Sequence, residues 1–92
     1  MEASRDRELK LAEKYVAYGD MLFRIAYSSL LSKEDAEDAV QEVFTKYLKK
    51  APSFKGEEHE RAWFIRVTVN QCHDIQRRQK VRGYTPLHEM VE

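Results

Sequence analysis

Apolar residues recur at helical spacing along the first third of the chain. From about Asp6 to Leu31 most stand three or four positions apart: Leu9, Leu11, Ala12, Tyr15, Val16, Met21, Leu22, Ile25, Ala26 and Leu30. That spacing places them on one side of an amphipathic helix. The pair Gly19-Asp20 interrupts the pattern, so two successive helices are the alternative. We predict one long helix with a weak point at Gly19.

A second helix is bounded by local chemistry at both ends. Ser32 is a good N-cap, and Asp35 three positions later completes a capping box. The helix is predicted to run to about Lys50, because Pro52 disfavours helical backbone at the residue before it. Its inward positions are expected to be Ala36, Ala39 or Val40, Val43, Phe44 and Tyr47, with Leu48 beside them.

The residues from Pro52 to about Glu58 are predicted to form a loop, followed by a third helix from His59 to about Lys80. Its apolar positions are Ala62, Trp63, Ile65, Val67, Val69, Cys72 and Ile75. Val67-Thr68-Val69 favours a strand locally, but a lone strand would have no partner, so we predict helix. The fold class is therefore all-α, a compact bundle of three to four helices. We assign residues 1–82 to this domain, and residues 83–92, with Gly83 and Pro86, to the start of a linker.

The charges are segregated along the chain although the net charge is zero. The segment from Glu34 to Glu42 carries acids and no Lys or Arg. The segment from Arg61 to Arg82 is rich in Lys and Arg and has one acid, Asp74. Such asymmetry indicates two partners of opposite charge.

The acidic helix carries a candidate binding face. Asp38, Gln41 and Glu42 stand at i, i+3 and i+4, so they share one exposed side of the helix. A solvated acidic face is the simpler interpretation for an arbitrary helix. The absence of neighbouring Lys or Arg leaves these acids unneutralised, however, and Gln41 adds a donor and an acceptor. This favours contact with a basic protein surface.

The third helix carries a polar stripe that suits nucleic acid. Arg66, Asn70, Asp74 and Arg77 follow one another at intervals of four, four and three, and Arg78 is adjacent. Asparagine can pair with a base edge, and arginine suits phosphate or guanine. Exposed aromatic residues could stack on unpaired bases. Phe54 is the best candidate, because Trp63 is at least as consistent with a core position and Phe64 is ambiguous.

Other functions find no support in the residues. Cys72 is the single cysteine, which excludes an internal disulfide, and the histidines lack metal-ligand spacing. No nucleophile, phosphate-loop or dinucleotide motif is present. A polar N-terminus and the lack of a long apolar run argue against a signal peptide or a membrane span. We expect a cytoplasmic binding domain without a cofactor, and not an enzyme.

The motifs together resemble one protein family. The string Asp35-Ala-Glu-Asp-Ala-Val-Gln-Glu-Val-Phe44 closely resembles the polymerase-binding helix of bacterial sigma factors of the extracytoplasmic-function (ECF) class. Leu22–Tyr27 is similar to the helix that precedes it. The remaining matches follow in the family's order and spacing: Phe54-Lys-Gly, Ala62-Trp-Phe-Ile-Arg66, Asn70 and Asp74-Ile-Gln-Arg-Arg78. The resemblance covers roughly Tyr15 to Val81.

This resemblance implies the sigma region 2 domain. Asp38, Gln41 and Glu42, with Asp35, would then bind the β′ clamp helices of the RNA polymerase core. The third helix and the preceding loop would recognise and open the promoter −10 element. The implied DNA contacts are Asn70 on the non-template strand, Arg66 and Asp74 in the same stripe, Arg77, Arg78 and Lys80 on phosphates, and Phe54 and Lys55 on a flipped-out base.

Two departures from the family pattern matter. Glu57, Glu58 and Glu60 make the stretch before Trp63 unusually acidic, which would repel DNA locally. The chain also stops where the linker to a −35-binding domain would begin, so we interpret it as a piece of a longer protein. The alternative function is a protein-interaction domain whose third helix docks an anti-sigma factor and contacts no DNA. The resemblance makes an anti-sigma factor an expected partner in either case.

Overall fold

A computed structural model describes residues 2–81, with the side chains of residues 5–80. It contains three helices: α1 (Glu2–Leu30), α2 (Lys33–Lys50) and α3 (Glu57–Val81). All three pairs of helices pack against one another, and the described residues include no strand. The prediction of an all-α bundle is thus confirmed, with three helices. Residues 83–92, predicted to begin a linker, lie outside the described residues.

Helix α1 continues through Gly19 without a break. Gly19 is buried, and a Cβ at this position would lie 3.4 Å from the ring of Tyr15. That is an ordinary van der Waals distance, so the space beside Tyr15 does not itself require glycine. The helix continues despite the helix-weakening tendency of glycine, and the prediction of one long helix is confirmed.

Helix α2 has the predicted cap at its start and a left-handed residue at its end. The Ser32 hydroxyl accepts a hydrogen bond of 3.2 Å from the backbone N–H of Asp35, which is the first half of the predicted capping box. The described bond to the Asp35 carboxylate comes from Gln79 and not from the N–H of Ser32, so the second half is not formed. Ala51 follows the last turn with φ of 43°, and its N–H donates to the carbonyl of Tyr47. Leu31 ends α1 with a similar φ of 55°.

The core is built around one aromatic residue. Phe64 of α3 is fully buried, and its ring lies 4.8 Å from that of Tyr18 and 5.4 Å from those of Phe44 and Tyr47, measured between centroids. A second cluster, towards the other end of the bundle, consists of small residues: Ala26, Ala36, Ala39 and Cys72. Small side chains let the three helix backbones approach closely there.

The inward side of α3 differs from the predicted one. Its buried side chains are Phe64, Thr68, Gln71 and Cys72, whereas Ala62, one of the apolar positions of the sequence pattern, is exposed. Thr68 is tolerated in the core because its hydroxyl donates to the carbonyl of Phe64 at 2.8 Å. Helix α3 also begins at Glu57, two residues before the predicted start.

Candidate binding surfaces

The acidic face of α2 is a ridge between two grooves. Asp38 and Gln41 are exposed, whereas Glu42 and Asp35 are half-buried. Asp35, Asp38 and Glu42 line a groove of about 250 Å³ between α2 and α3. Gln41 instead lines a groove of about 430 Å³ between α1 and α2, together with Asp20. The predicted face therefore divides, with Asp38 on its crest and Gln41 turned towards α1.

Asp35 makes contacts at both its backbone and its side chain. Its N–H is held by Ser32, and its carboxylate accepts a hydrogen bond of 3.0 Å from Nε2 of Gln79 on α3. The start of α2 is thereby joined to the end of α3. Asp35 is consequently less available to a partner than Asp38.

Arg78 of α3 lines the same groove as these acids. The described ion pairs, Lys14–Glu60 and Asp74–Arg77, include neither Arg78 nor any of the groove's carboxylates. The α2/α3 groove therefore places acidic groups and an exposed guanidinium side by side without pairing them. Each remains able to bind a partner of opposite charge.

The polar stripe of α3 is exposed along most of its length. The side chains of Arg66, Asn70 and Arg77 face solvent, as do those of Arg78 and Lys80. Asp74, which is half-buried, binds the guanidinium of Arg77. This intrahelical pair orients Arg77 along the surface of α3 and neutralises part of its charge.

The loop before α3 lies against the helix. Phe54 is half-buried, and its ring meets that of Trp63 edge-on at 5.8 Å and that of His59 at 5.4 Å. The backbone N–H of Lys55 donates to Nδ1 of His59 at 3.0 Å, while the Lys55 side chain is exposed. Phe64 is fully enclosed, so it is a core residue and has no surface to offer a ligand.

One of the three unexpected acids is neutralised within the bundle. Glu60 accepts hydrogen bonds of 2.7 Å from Tyr18 and from Lys14 on α1. Burial alone would raise the pKa of Glu60, but the bonds from Lys14 and Tyr18 outweigh it and hold that pKa below its usual value. Burial and the Glu60 carboxylate raise the pKa of Tyr18 to about 12. Glu57 and Glu58 remain exposed beside the loop.

Three glutamines of α3 connect the helices, and sequence reasoning missed them. Gln71 accepts from Nζ of Lys46 at 2.9 Å, and Gln76 donates to the carbonyl of Ser29 at 3.1 Å. Gln79 donates to Asp35, as described above. Residues 71 and 79 are eight positions apart, about two helical turns, which places them on one side of α3. That spacing is the only sequence signal for their role.

None of the described helices is both long enough and apolar enough to cross a membrane. Within residues 5–80, no three His, Cys, Asp or Glu side chains are grouped so that they could hold a metal ion.

Comparisons with known proteins extend these observations. The family model for sigma-70 region 2 matches residues 15–82. The ECF RNA polymerase sigma factor SigM, from the Erdman and H37Rv strains of Mycobacterium tuberculosis, is 33% identical over 69 residues, which is 75% of this chain and 35% of the relative. The chain thus spans about a third of the length of the curated relatives it matches. No solved structure matches it significantly.

Proposed function

Because the chain belongs to the sigma-70 region 2 family, and within it to the ECF class, we propose that it binds the RNA polymerase core and recognises and melts the promoter −10 element. Residues 1–82 would form this domain, and residues 83–92 would begin the linker to a −35-binding domain. The observation that carries the proposal is that the exposed acidic ridge on α2 and the basic end of the exposed stripe on α3 border the same groove, with Asp38 and Arg78 both lining it. The setting is the cytoplasm, where transcription takes place.

The α2 ridge supplies the polymerase contact. Asp38 is exposed and unpaired by any described cation, and Glu42 and Asp35 extend its negative charge into the α2/α3 groove. Gln41 extends the ridge towards α1 with groups that can donate and accept. This arrangement would attract a basic surface on the β′ clamp helices and would also fix the orientation in which that surface binds.

The α3 stripe and the loop supply the DNA contact. Asn70 is exposed midway along α3 and can read a base edge of the non-template strand, flanked by Arg66. Arg77, oriented by Asp74, would bind phosphates together with Arg78 and Lys80. Phe54 and Lys55 would receive a flipped-out base at the start of the helix, beside the half-buried Trp63.

Charge reversal tests the polymerase contact. We expect Asp38→Arg combined with Glu42→Arg to abolish co-purification with polymerase core, because two attractions become repulsions. Glu8→Arg combined with Glu13→Arg is the matched control, since it makes the same charge change at exposed sites on α1. Circular dichroism checks that helicity is intact. Retained binding by the α2 variant would refute the assignment.

Binding to single-stranded oligonucleotides of the non-template −10 sequence, with core present, tests the DNA contact. Asn70→Ala should relax base preference, whereas Arg77→Ala should weaken all sequences alike and reduce the salt dependence of binding. Arg24→Ala, an exposed arginine on α1, is the control. If neither α3 variant alters binding, the helix does not read DNA. Capture of an anti-sigma factor through α3 would then be the better proposal.

A further inference from the structure

Helix α3 begins without the usual capping side chain. Its N-cap position is Gly56, whose carbonyl accepts the first helical hydrogen bond from Glu60 at 3.0 Å. Glycine has no side chain with which to bind the free N–H groups of the first turn. The space around Gly56 is open, because a Cβ there would meet no atom within 4 Å. The loop therefore enters the helix through a residue that restrains it little.

His59 supplies the restraint from inside the first turn. Its Nδ1 accepts the hydrogen bond from the backbone N–H of Lys55, which precedes Gly56. In a capping box, the side chain of the third helical residue accepts from the N–H of the N-cap itself, which here is Gly56. His59 is that third residue, and its imidazole reaches one residue further back, to the N–H of Lys55.

The same imidazole also holds the loop's aromatic side chain. The rings of His59 and Phe54 meet at 88°, with centroids 5.4 Å apart. Phe54 also meets Trp63 edge-on, with the ring centroids 5.8 Å apart. His59 thus contacts both the backbone of Lys55 and the ring of Phe54 from a single position in the first turn of α3.

We propose that His59 is a positioning residue that presents Phe54 and Lys55 to an unstacked base. This inference rests on the proposed function, in which those two side chains receive a base extruded from the −10 element. Extruding a base costs a few kcal/mol, so the receiving groups must be held in place before it arrives. Without His59, the loop around Gly56 would have to become ordered each time a base arrives.

Three substitutions of His59 and one of Gly56 separate this role from simple helix capping. His59→Asn places an amide oxygen close to the position of Nδ1, so it keeps the acceptor for Lys55. His59→Phe keeps an aromatic ring beside Phe54 but has no acceptor, and His59→Ala has neither. Gly56→Ser added to His59→Ala restores a helix cap without restoring the acceptor for Lys55.

Amide hydrogen exchange of Lys55 in the free chain tests the geometry without DNA. We expect exchange to be slow in the wild type and His59→Asn, and roughly two- to tenfold faster in His59→Ala and His59→Phe. Equal exchange of the Lys55 amide in all four proteins would overturn the inference. This measurement does not depend on the proposed function.

Oligonucleotide binding in complex with polymerase core tests the consequence. Each variant is compared on a −10 strand carrying the flipped base and on the same strand with an abasic site. His59→Ala should lose about two- to tenfold in affinity for the first strand only, His59→Asn should recover it, and the Gly56→Ser double variant should not. Recovery by Gly56→Ser, or equal losses on both strands, would assign His59 to helix stability alone. If the wild type does not distinguish the strands, the proposed base capture fails, and this role of His59 fails with it.

Discussion

The hydroxyl of Tyr18 donates a hydrogen bond of 2.7 Å to the carboxylate of Glu60, a residue 42 positions further along the chain. The other carboxylate oxygen binds Nζ of Lys14 at the same distance. Two residues one turn apart on α1 therefore hold the first turn of α3. Since the Phe54–Lys55 loop leads directly into that turn, this contact sets where the loop lies relative to the rest of the bundle.

Acid should weaken this connection. The pKa of Glu60 is lower in the folded protein than its ordinary value of 4.5, so the folded state binds fewer protons than the unfolded state at acid pH. The stabilisation is complete above pH 4.5 and is lost as the pH falls below it. We expect Glu60→Gln to lower the free energy of unfolding by about 1–3 kcal/mol near neutrality, and by progressively less in acid. Urea unfolding across this range measures the difference.

Glu58→Gln is the matched control, because Glu58 lies in the same turn but is exposed. Its effect on the free energy of unfolding should stay within about 0.5 kcal/mol at every pH. If the loss of unfolding free energy in Glu60→Gln does not change with pH, the charge of the Glu60 carboxylate does not stabilise its contacts with Lys14 and Tyr18.

Glycine at the two helix ends should stabilise the protein. Leu31 and Ala51 have φ of 55° and 43°, which is unfavourable for residues with a Cβ. Leu31 is 71% exposed, so replacing it removes little buried surface. Each of Leu31→Gly and Ala51→Gly should raise the free energy of unfolding by about 0.5–1 kcal/mol, as measured by chemical denaturation. Ala17→Gly, exposed within α1, should lower it by about 1 kcal/mol; a similar loss at residue 31 would contradict the explanation.

The bond between Gln79 and Asp35 should couple the end of α3 to the start of α2. Gln79→Ala should lower the free energy of unfolding by about 1 kcal/mol, because it removes the only described hydrogen bond to the Asp35 carboxylate. At the same time it should leave polymerase binding equal or tighter, since Asp35 becomes more available. His73→Ala, an exposed site on α3, is the control for both measurements. Weaker polymerase binding by Gln79→Ala would mean that the bond orders Asp35 for its partner.

Cys72 should be unreactive in the folded protein. It is 1% exposed among small alanines, and burial raises the pKa of its thiol more than the hydrogen bond with Ser29 lowers it. A thiol reagent should therefore modify Cys72 at least about a hundredfold more slowly in the native protein than in urea. Rapid modification under native conditions would instead support a redox-sensing role.

Local chemistry explains why the helices could be predicted. Ser32 and Asp35 at its start and Pro52 after its last turn mark α2 in the sequence itself. The structure has the same bounds, and the N–H of Asp35 donates to Ser32. The side of α3 that faces the core was harder to predict. Thr68 and Gln71 are buried although polar, because Thr68 bonds within its own helix and Gln71 bonds to Lys46.

The candidate surfaces could be predicted only in part. The exposure of Asp38 and Asn70 follows from helical spacing, and the structure agrees. The division of the acidic face does not follow, because it depends on how α1 and α3 are rotated against α2. The contact of Gln79 with Asp35, 44 positions away, depends on the same packing. The positions that family resemblance assigns to polymerase and DNA remain predictions.

The contacts that hold α3 against the other two helices are partly polar, which affects how firmly its position along the bundle is fixed. Helix α2 is buried through five apolar side chains, from Ala36 to Phe44, whereas the buried side chains of α3 beyond Phe64 are Thr68, Gln71 and Cys72, with Val67 and Ile75 partly buried beside them. Interlocked apolar side chains resist sliding, because any shift opens voids. Glutamines on flexible stems can keep or exchange partners through a small shift. We therefore expect the half of α3 that carries Asn70 and Arg77 to tolerate small displacements more readily than α2 does.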